Sequence, residues 1–229
     1  WDELPEYRPN EQGEITCSDF FGGDLAGITE KLDYLSSLGV TTLYLCPIFE
    51  ASTNHRYDTA CYERIDPMLG TEEDFAALCR DAHALGMRVI LDGVFSHTGS
   101  NSVYFDAKGV FGNGAVSNPN SPYRSWYRFR HYPDDYDAWW NTPTLPNVEE
   151  LSESYVNYII EDEDSVIAHW LRLGADGFRL DVVDELPDEF VLKLKRRLRG
   201  LKPDALLIGE VWEDASNKRA YGVSRRYFV

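Results

Sequence analysis

Four times along this chain a helical stripe of apolar residues runs into a short, continuous apolar stretch. Leu25, Ile28, Leu32, Leu35 and Leu38 recur at three- and four-residue spacing, Gly39 stops them, and the β-branched, apolar run Val40 to Phe49 follows. Thr71-Glu-Glu-Asp74 has the form of a capping box. It opens a second stripe, Phe75, Leu78, Ala82 and Leu85, which Gly86 stops before the run Met87 to Phe95. Ser165 to Leu173, with Val166, Ile167, Trp170 and Leu171 inward, ends at Gly174 ahead of Gly177 to Val183. Pro187 suits a first helical position. Phe190, Val191, Leu194, Leu198 and Leu201 then make the fourth stripe, and Ala205 to Val211 the fourth run. Such runs are too continuous for half-exposed strands. Alternating with helices, they predict a parallel sheet with right-handed crossovers and both faces covered. The repeat is architectural, since no segment resembles another in sequence.

At 229 residues and 43% hydrophobic content, the chain is long enough for one large domain or two small ones with a substantial core. Acidic residues outnumber basic ones 39 to 22, for a net charge of -17. That sign disfavours nucleic acid and an anionic membrane surface as partners, and is compatible with a neutral, hydroxyl-rich substrate. Cys17, Cys46, Cys61 and Cys79 form no close Cys-x-x-Cys pair, so zinc is not expected; Cys46 and Cys79 are read as small core side chains. Neither a signal peptide nor a membrane-length apolar run is visible, and the expectation is a cytoplasmic protein. The chain starts at Trp1 without a methionine, so its natural start is expected upstream.

One connection breaks the rhythm. Between His97 and Ser165 lie 67 residues, far more than an ordinary strand-to-helix loop. Tyr104 to Trp140 holds eleven aromatic residues among Gly, Asn and Pro. Aromatic faces stack on sugar rings, but most of these side chains are expected to build the insertion's own small core.

The apolar runs end in carboxylates. The segments Asp92-Gly-Val-Phe-Ser-His97, Gly177-Phe-Arg-Leu-Asp181 and Gly209-Glu-Val-Trp212 each place an acid at or near a strand's carboxyl end. That is where α/β barrels keep their chemistry, and two acids facing one centre are what glycosidic cleavage requires. Arg179 and Asp181, two apart on a strand, share a face; the arginine is expected to keep Asp181 ionised, as a nucleophile must be. Glu210 ends the apolar strand Leu206-Leu-Ile208, whose surroundings are expected to raise its pKa, as a general acid requires. His97 is placed to bind a substrate hydroxyl. Asp92, five residues further back, is read as a structural acid that holds neighbouring strand ends.

These segments, with Gly177-Phe-Arg-Leu-Asp-Val-Val-Asp-Glu185 taken in full, resemble the signature regions of glycoside hydrolase family 13, the α-amylases. Leu145-Pro-Asn-Val-Glu149 resembles a further signature in that family's domain B. Asn54-His-Arg-Tyr-Asp-Thr59 and Gly22-Gly-Asp-Leu25 look most like the neopullulanase, cyclomaltodextrinase and maltogenic amylase branch. The resemblance runs from about Asp19 onward. It implies a partial (β/α)8 TIM barrel of strands two to five. Residues 1–97 and 165–229 would belong to the barrel and 98–164 to a domain B insertion after the third barrel strand. It implies Asp181 as nucleophile and Glu210 as general acid/base, with Arg179 supporting Asp181. His97 and Tyr57 would line the attacked glucose, Tyr57 by stacking, and Trp212 would contact substrate. The seventh-strand His-Asp signature, with the third catalytic carboxylate, is not in this sequence, so the chain reads as a fragment that is inactive alone.

Two positions depart from the pattern. Ser96 stands where the family usually has an asparagine that binds calcium in many members, so no cofactor is expected and calcium is disfavoured there. Glu149 stands where the branch often has asparagine. The implied function is a retaining α-glucan hydrolase cleaving α-1,4 bonds of maltooligosaccharides, cyclodextrins, starch or pullulan, with room for a homodimer of a longer parent. Two alternatives are a transglycosylase of the same family and a non-catalytic carbohydrate-binding relative. Metal-assisted hydrolysis is disfavoured, because His55, His83, His97, His131 and His169 are scattered with no His-x-His.

Overall fold

The computed structural model describes residues 7–212, 214 and 215, and the backbone of 219–220 and 223–224. Four parallel strands form its centre: β1 (Thr42–Leu45), β4 (Arg88–Gly93), β7 (Gly177–Leu180) and β8 (Leu206–Gly209), paired in that order. Between β1 and β4 the chain makes an antiparallel pair, β2 (Phe49–Ala51) with β3 (Thr59–Ile65). A second small hairpin, β5 (Phe129–His131) with β6 (Asp135–Tyr136), lies in the long insertion. The helices are α1 (Leu25–Glu30), α2 (Leu32–Ser37), α3 (Glu72–Ala84), α4 (Glu153–Val156), α5 (Val166–Leu173) and α6 (Asp188–Leu201).

Each helix begins and ends for a local reason. Thr71 and Asp74 exchange both bonds of the capping box at α3. Gly39, Gly86 and Gly174 take positive φ after α2, α3 and α5, the left-handed exit that glycine permits. The first stripe is two helices rather than one. At Lys31 the backbone N–H bonds back to both Ile28 and Thr29, and the turn tightens there. Pro187 precedes the first helical residue of α6 instead of occupying it. A wide π turn, Asn157–Glu161, follows α4 directly, and its Ile159 and Ile160 join Tyr155 in the main core.

The run Val40 to Phe49 divides at Pro47. Proline has no N–H for a ladder, so β1 stops at Leu45 and Phe49 starts a strand that runs elsewhere. Cys46, expected in the core, lies just past β1 and is exposed; Cys79 is buried as expected.

The expectation that helices cover both faces fails. Leu43, Leu45, Val89, Leu91, Phe178 and Leu180 point to the helices and are buried with Phe75, Leu78, Phe190 and Leu194. The alternate residues form the other face, where Tyr44 is 43% and Ile208 48% exposed. That face carries Asp92 and Arg179, and no helix packs on it among the described residues. The ionisable groups of the sheet thus stand on the face away from its main core.

At the opposite end of the strands, Asp176 accepts from the Val89 N–H (2.7 Å), His83 (2.7 Å) and Lys202 (2.6 Å), tying β4 to α3 and to the end of α6. Gly177, next to it, has φ +146°, and a Cβ there would lie 1.9 Å from the Leu206 carbonyl oxygen. Gly177→Ala is therefore expected to cost about 3 kcal/mol or more, because β7 and β8 must separate. Denaturant unfolding checks this, and a loss below about 1 kcal/mol would mean that the strands yield there.

Candidate active site

Arg179 organises the carboxyl end of the sheet. Its Nη1 lies 2.7 Å from Asp92 Oδ1 and 2.8 Å from Asp181 Oδ1, and its Nη2 lies 2.8 Å from Glu210 Oε1. One guanidinium thus joins acids from three adjacent strand ends. Asp181 and Glu210 point to the same end of the sheet, as the sequence reading required. Asp92 accepts in addition from Tyr44 Oη (2.6 Å) and Tyr57 Oη (3.1 Å), and its side chain is fully buried. It fixes Arg179 and the two tyrosines, in keeping with its reading as a structural acid. Tyr44, which the sequence reading missed, also puts its ring 5.8 Å from the Arg179 guanidinium. Its alternation with buried Leu43 and Leu45 was the available signal.

A left-handed residue shapes the turn after Asp181. Val182 has φ +40°, rare for a β-branched side chain. This directs its N–H to Glu210 Oε2 at 3.1 Å. The sequence reading extended the strand to Val183, but β7 ends at Leu180 because the chain turns here.

The electrostatics run opposite to expectation. Burial pushes the Asp181 carboxyl up to about 7, with Asp92 and Glu210 adding to the rise and Arg179 opposing it. Burial also acts to raise Glu210, but the Val182 N–H and Arg179 outweigh it and hold that carboxyl below its ordinary value. The spacing of Arg179 and Asp181 showed one ion pair. It did not show that the same guanidinium is divided among three acids, so that its pull on Asp181 is diluted. Nor are the neighbours of Glu210 a dry wall, since Leu206 and Leu207 are half-buried and Ile208 is exposed. Of the two carboxyls, protonation is therefore favoured on Asp181, and Glu210 is the one more readily ionised.

His97 is 2% exposed, and burial pushes its ring down to about 4, so it is neutral at physiological pH. Its Nδ1 faces Ser96 Oγ at 3.0 Å, and its buried Nε2 has no hydrogen-bond partner among the described residues. Pro146 to Val148 of the insertion pair with this segment, with Val148 N–H donating to the Ser96 carbonyl and Thr98 N–H to that of Pro146. Glu149 pairs with Arg128 at 2.8 Å. Trp212 stands exposed two residues beyond Glu210. Of the eleven aromatics, Tyr104, Phe105, Trp126 and Tyr127 are buried and Tyr123, Phe129 and Tyr136 pack against them. These seven are core residues as expected, but the core they join is continuous with that under the sheet rather than one of the insertion's own. Trp139 and Trp140 instead stand beside His97 and Trp212. Ser96 is engaged with His97, and no group of three or more His, Cys, Asp or Glu side chains among the described residues could hold a metal. No described helix is long and apolar enough to cross a membrane.

Two carboxyls of different acidity held on one arginine are a pairing that acid–base and nucleophilic chemistry at a single centre can use. Residues 7–227 match the family described as alpha amylase, catalytic domain. An amylopullulanase of Thermoanaerobacterium saccharolyticum is 42% identical over 94% of this chain and 19% of its own. A cyclomaltodextrinase of Geobacillus thermopakistaniensis is 38% identical over 91% of this chain and 35% of its own. The solved type III pullulan hydrolase from Thermococcus kodakarensis superposes with a TM-score of 0.76, at 38% identity, over 87% of this chain and 35% of that one. The chain thus spans about a fifth of the first of these relatives and about a third of the other two. With its motifs, its sheet and these relatives in agreement, the chain belongs to the α-amylase catalytic-domain family.

Proposed function

We propose that this chain supplies strands two to five of a (β/α)8 barrel, with residues 98–164 as its domain B. In this reading the whole protein is a retaining α-glucan hydrolase acting on α-1,4 bonds. The observation that carries the reading is the shared contact of Asp181 and Glu210 with Arg179, which brings two acids to one place. The polar face of the sheet would be the barrel's interior.

Asp181 would attack the anomeric carbon while Glu210 protonates the leaving oxygen. Water, deprotonated by Glu210, would then release the sugar with its configuration retained. The general acid's proton must lie on Glu210 for the first step, whereas in the free site burial favours protonation of Asp181, and the Val182 N–H and Arg179 favour the ionised form of Glu210. Positive charge growing on the sugar next to Asp181 favours its ionised form. Because both acids contact Arg179, loss of a proton by Asp181 and its gain by Glu210 would be linked. His97 would line the subsite of the attacked sugar, Tyr57 would stack on the ring, and Trp212 would lie against the next sugar. The third carboxylate would come from a part of the catalytic domain that this sequence does not span.

Release of reducing ends from maltooligosaccharides, cyclodextrins and pullulan by a protein with the complete catalytic domain tests this reading. Activity is expected there, and none from residues 1–229 alone. Absence of hydrolysis in the complete protein with all three substrates would remove the reading.

A further inference from the structure

Glu185 has both carboxylate oxygens engaged by the insertion. Trp139 Nε1 donates to Oε2 at 2.8 Å and Trp140 Nε1 to Oε1 at 3.0 Å. An indole has a single donor, so each ring commits its only polar atom to this one side chain. The two rings stack with centroids 5.3 Å apart and planes 23° from parallel. The backbone does not favour this arrangement by itself, because Trp140 and Asn141 are both left-handed, at φ +48° and +58°. Such consecutive residues persist where surrounding contacts over-determine them.

The pair sits between two groups already placed at the site. Trp139 lies 5.5 Å from the His97 ring, and Trp140 meets Trp212 edge-on at 5.7 Å. Trp140 is 65% and Trp212 63% exposed, so a continuous apolar wall stands open to solvent beside Glu210. Glu185 ends the short helical turn Val183–Glu185, four residues after Asp181. It therefore ties the insertion to the loop that carries Asp181.

We propose that Glu185 is a positioning residue that locks Trp139 and Trp140 into a wall for the apolar face of a pyranose ring bound beyond the cleaved bond. This rests on the glucan reading above. Glu185 acts through the indoles and not on the reacting atoms, because both of its oxygens are turned to the insertion. Loss of the clamp should weaken binding of a long glucan and leave the bond-breaking step nearly untouched.

The test uses Glu185→Ala, Glu185→Gln and Trp140→Ala in the complete protein, with maltohexaose as probe. For Glu185→Ala, KM is expected to rise about tenfold while kcat stays within about twofold. The double variant Glu185→Ala/Trp140→Ala should be no worse than Trp140→Ala, since both remove one device. Glu185→Gln, which keeps one acceptor oxygen, should fall between wild type and alanine, and it carries the test if the alanine variant does not fold. The stacked indoles should also give an exciton couplet in circular dichroism, read without substrate, that disappears in Glu185→Ala. An unchanged KM, multiplicative effects in the double variant, or a persistent couplet would each overturn the proposal. A wild-type protein that cleaves no glucan would refute the functional reading instead, and the couplet would then decide the clamp alone.

Discussion

Asp181→Asn in the complete catalytic domain is expected to lower kcat by a factor of about 10,000 or more. An amide has nearly the shape of the carboxyl but cannot attack. Stability is expected to behave differently. Burial places the folded carboxyl at about 7, above the ordinary value of 3.8. The folded state therefore binds the proton more tightly than the unfolded state, and the stability from this group falls as pH rises from about 4 to about 7. Asparagine has no proton to lose. The variant should match wild type within about 1 kcal/mol at the acid end and gain on it steadily up to neutrality. Melts across that range beside a maltooligosaccharide assay check both halves. Retained turnover would remove Asp181 from the nucleophile's role, and a stability difference independent of pH would contradict its raised pKa.

Arg179→Met is expected to be the most damaging single change at the site, costing about 3–5 kcal/mol. The arginine side chain is 12% exposed and that of Asp92 fully buried, so water cannot replace the lost cation. Asp92 would keep its tyrosine hydroxyls, and Glu210 its bond from Val182, but Asp181 would lose its cationic partner. Removing the positive charge raises the folded pKa of all three acids, Asp92 and Asp181 from values already raised and Glu210 from a lowered one. The deficit should therefore be largest above neutrality and shrink as acid protonates them. An equal deficit at pH 4 and pH 8 would show that methionine disturbs packing rather than charge.

Features that depend on neighbours in the chain were legible in the sequence. The Thr71 capping box, the glycine exits at Gly39, Gly86 and Gly174, and the four helix–strand units all follow from bonds within a few residues. The meeting of Asp181 and Glu210 was legible too, because parallel strands must bring their carboxyl ends together. What depends on distant groups was not. No spacing rule reports that Arg179 is divided among three acids, so the two pKa directions came out reversed. The covering of one face only was hidden for a related reason, since buried and polar residues such as Leu91 and Asp92 alternate on a face whose partner the pattern does not name. Pro47 was a readable break that the long apolar run masked. Glu185 lay in plain view in the signature segment, but its role depends on two tryptophans 45 and 46 residues away.

The central claim is that Asp181 and Glu210 divide the work of a retaining cleavage. The most direct measurement is peptide mapping by mass spectrometry after the complete catalytic domain has reacted with a fluorinated maltosyl fluoride that forms the glycosyl–enzyme but releases it slowly. One sugar is expected, linked as an ester to the peptide that contains Asp181. A sugar on Glu210, or no adduct together with product of inverted configuration, would contradict it.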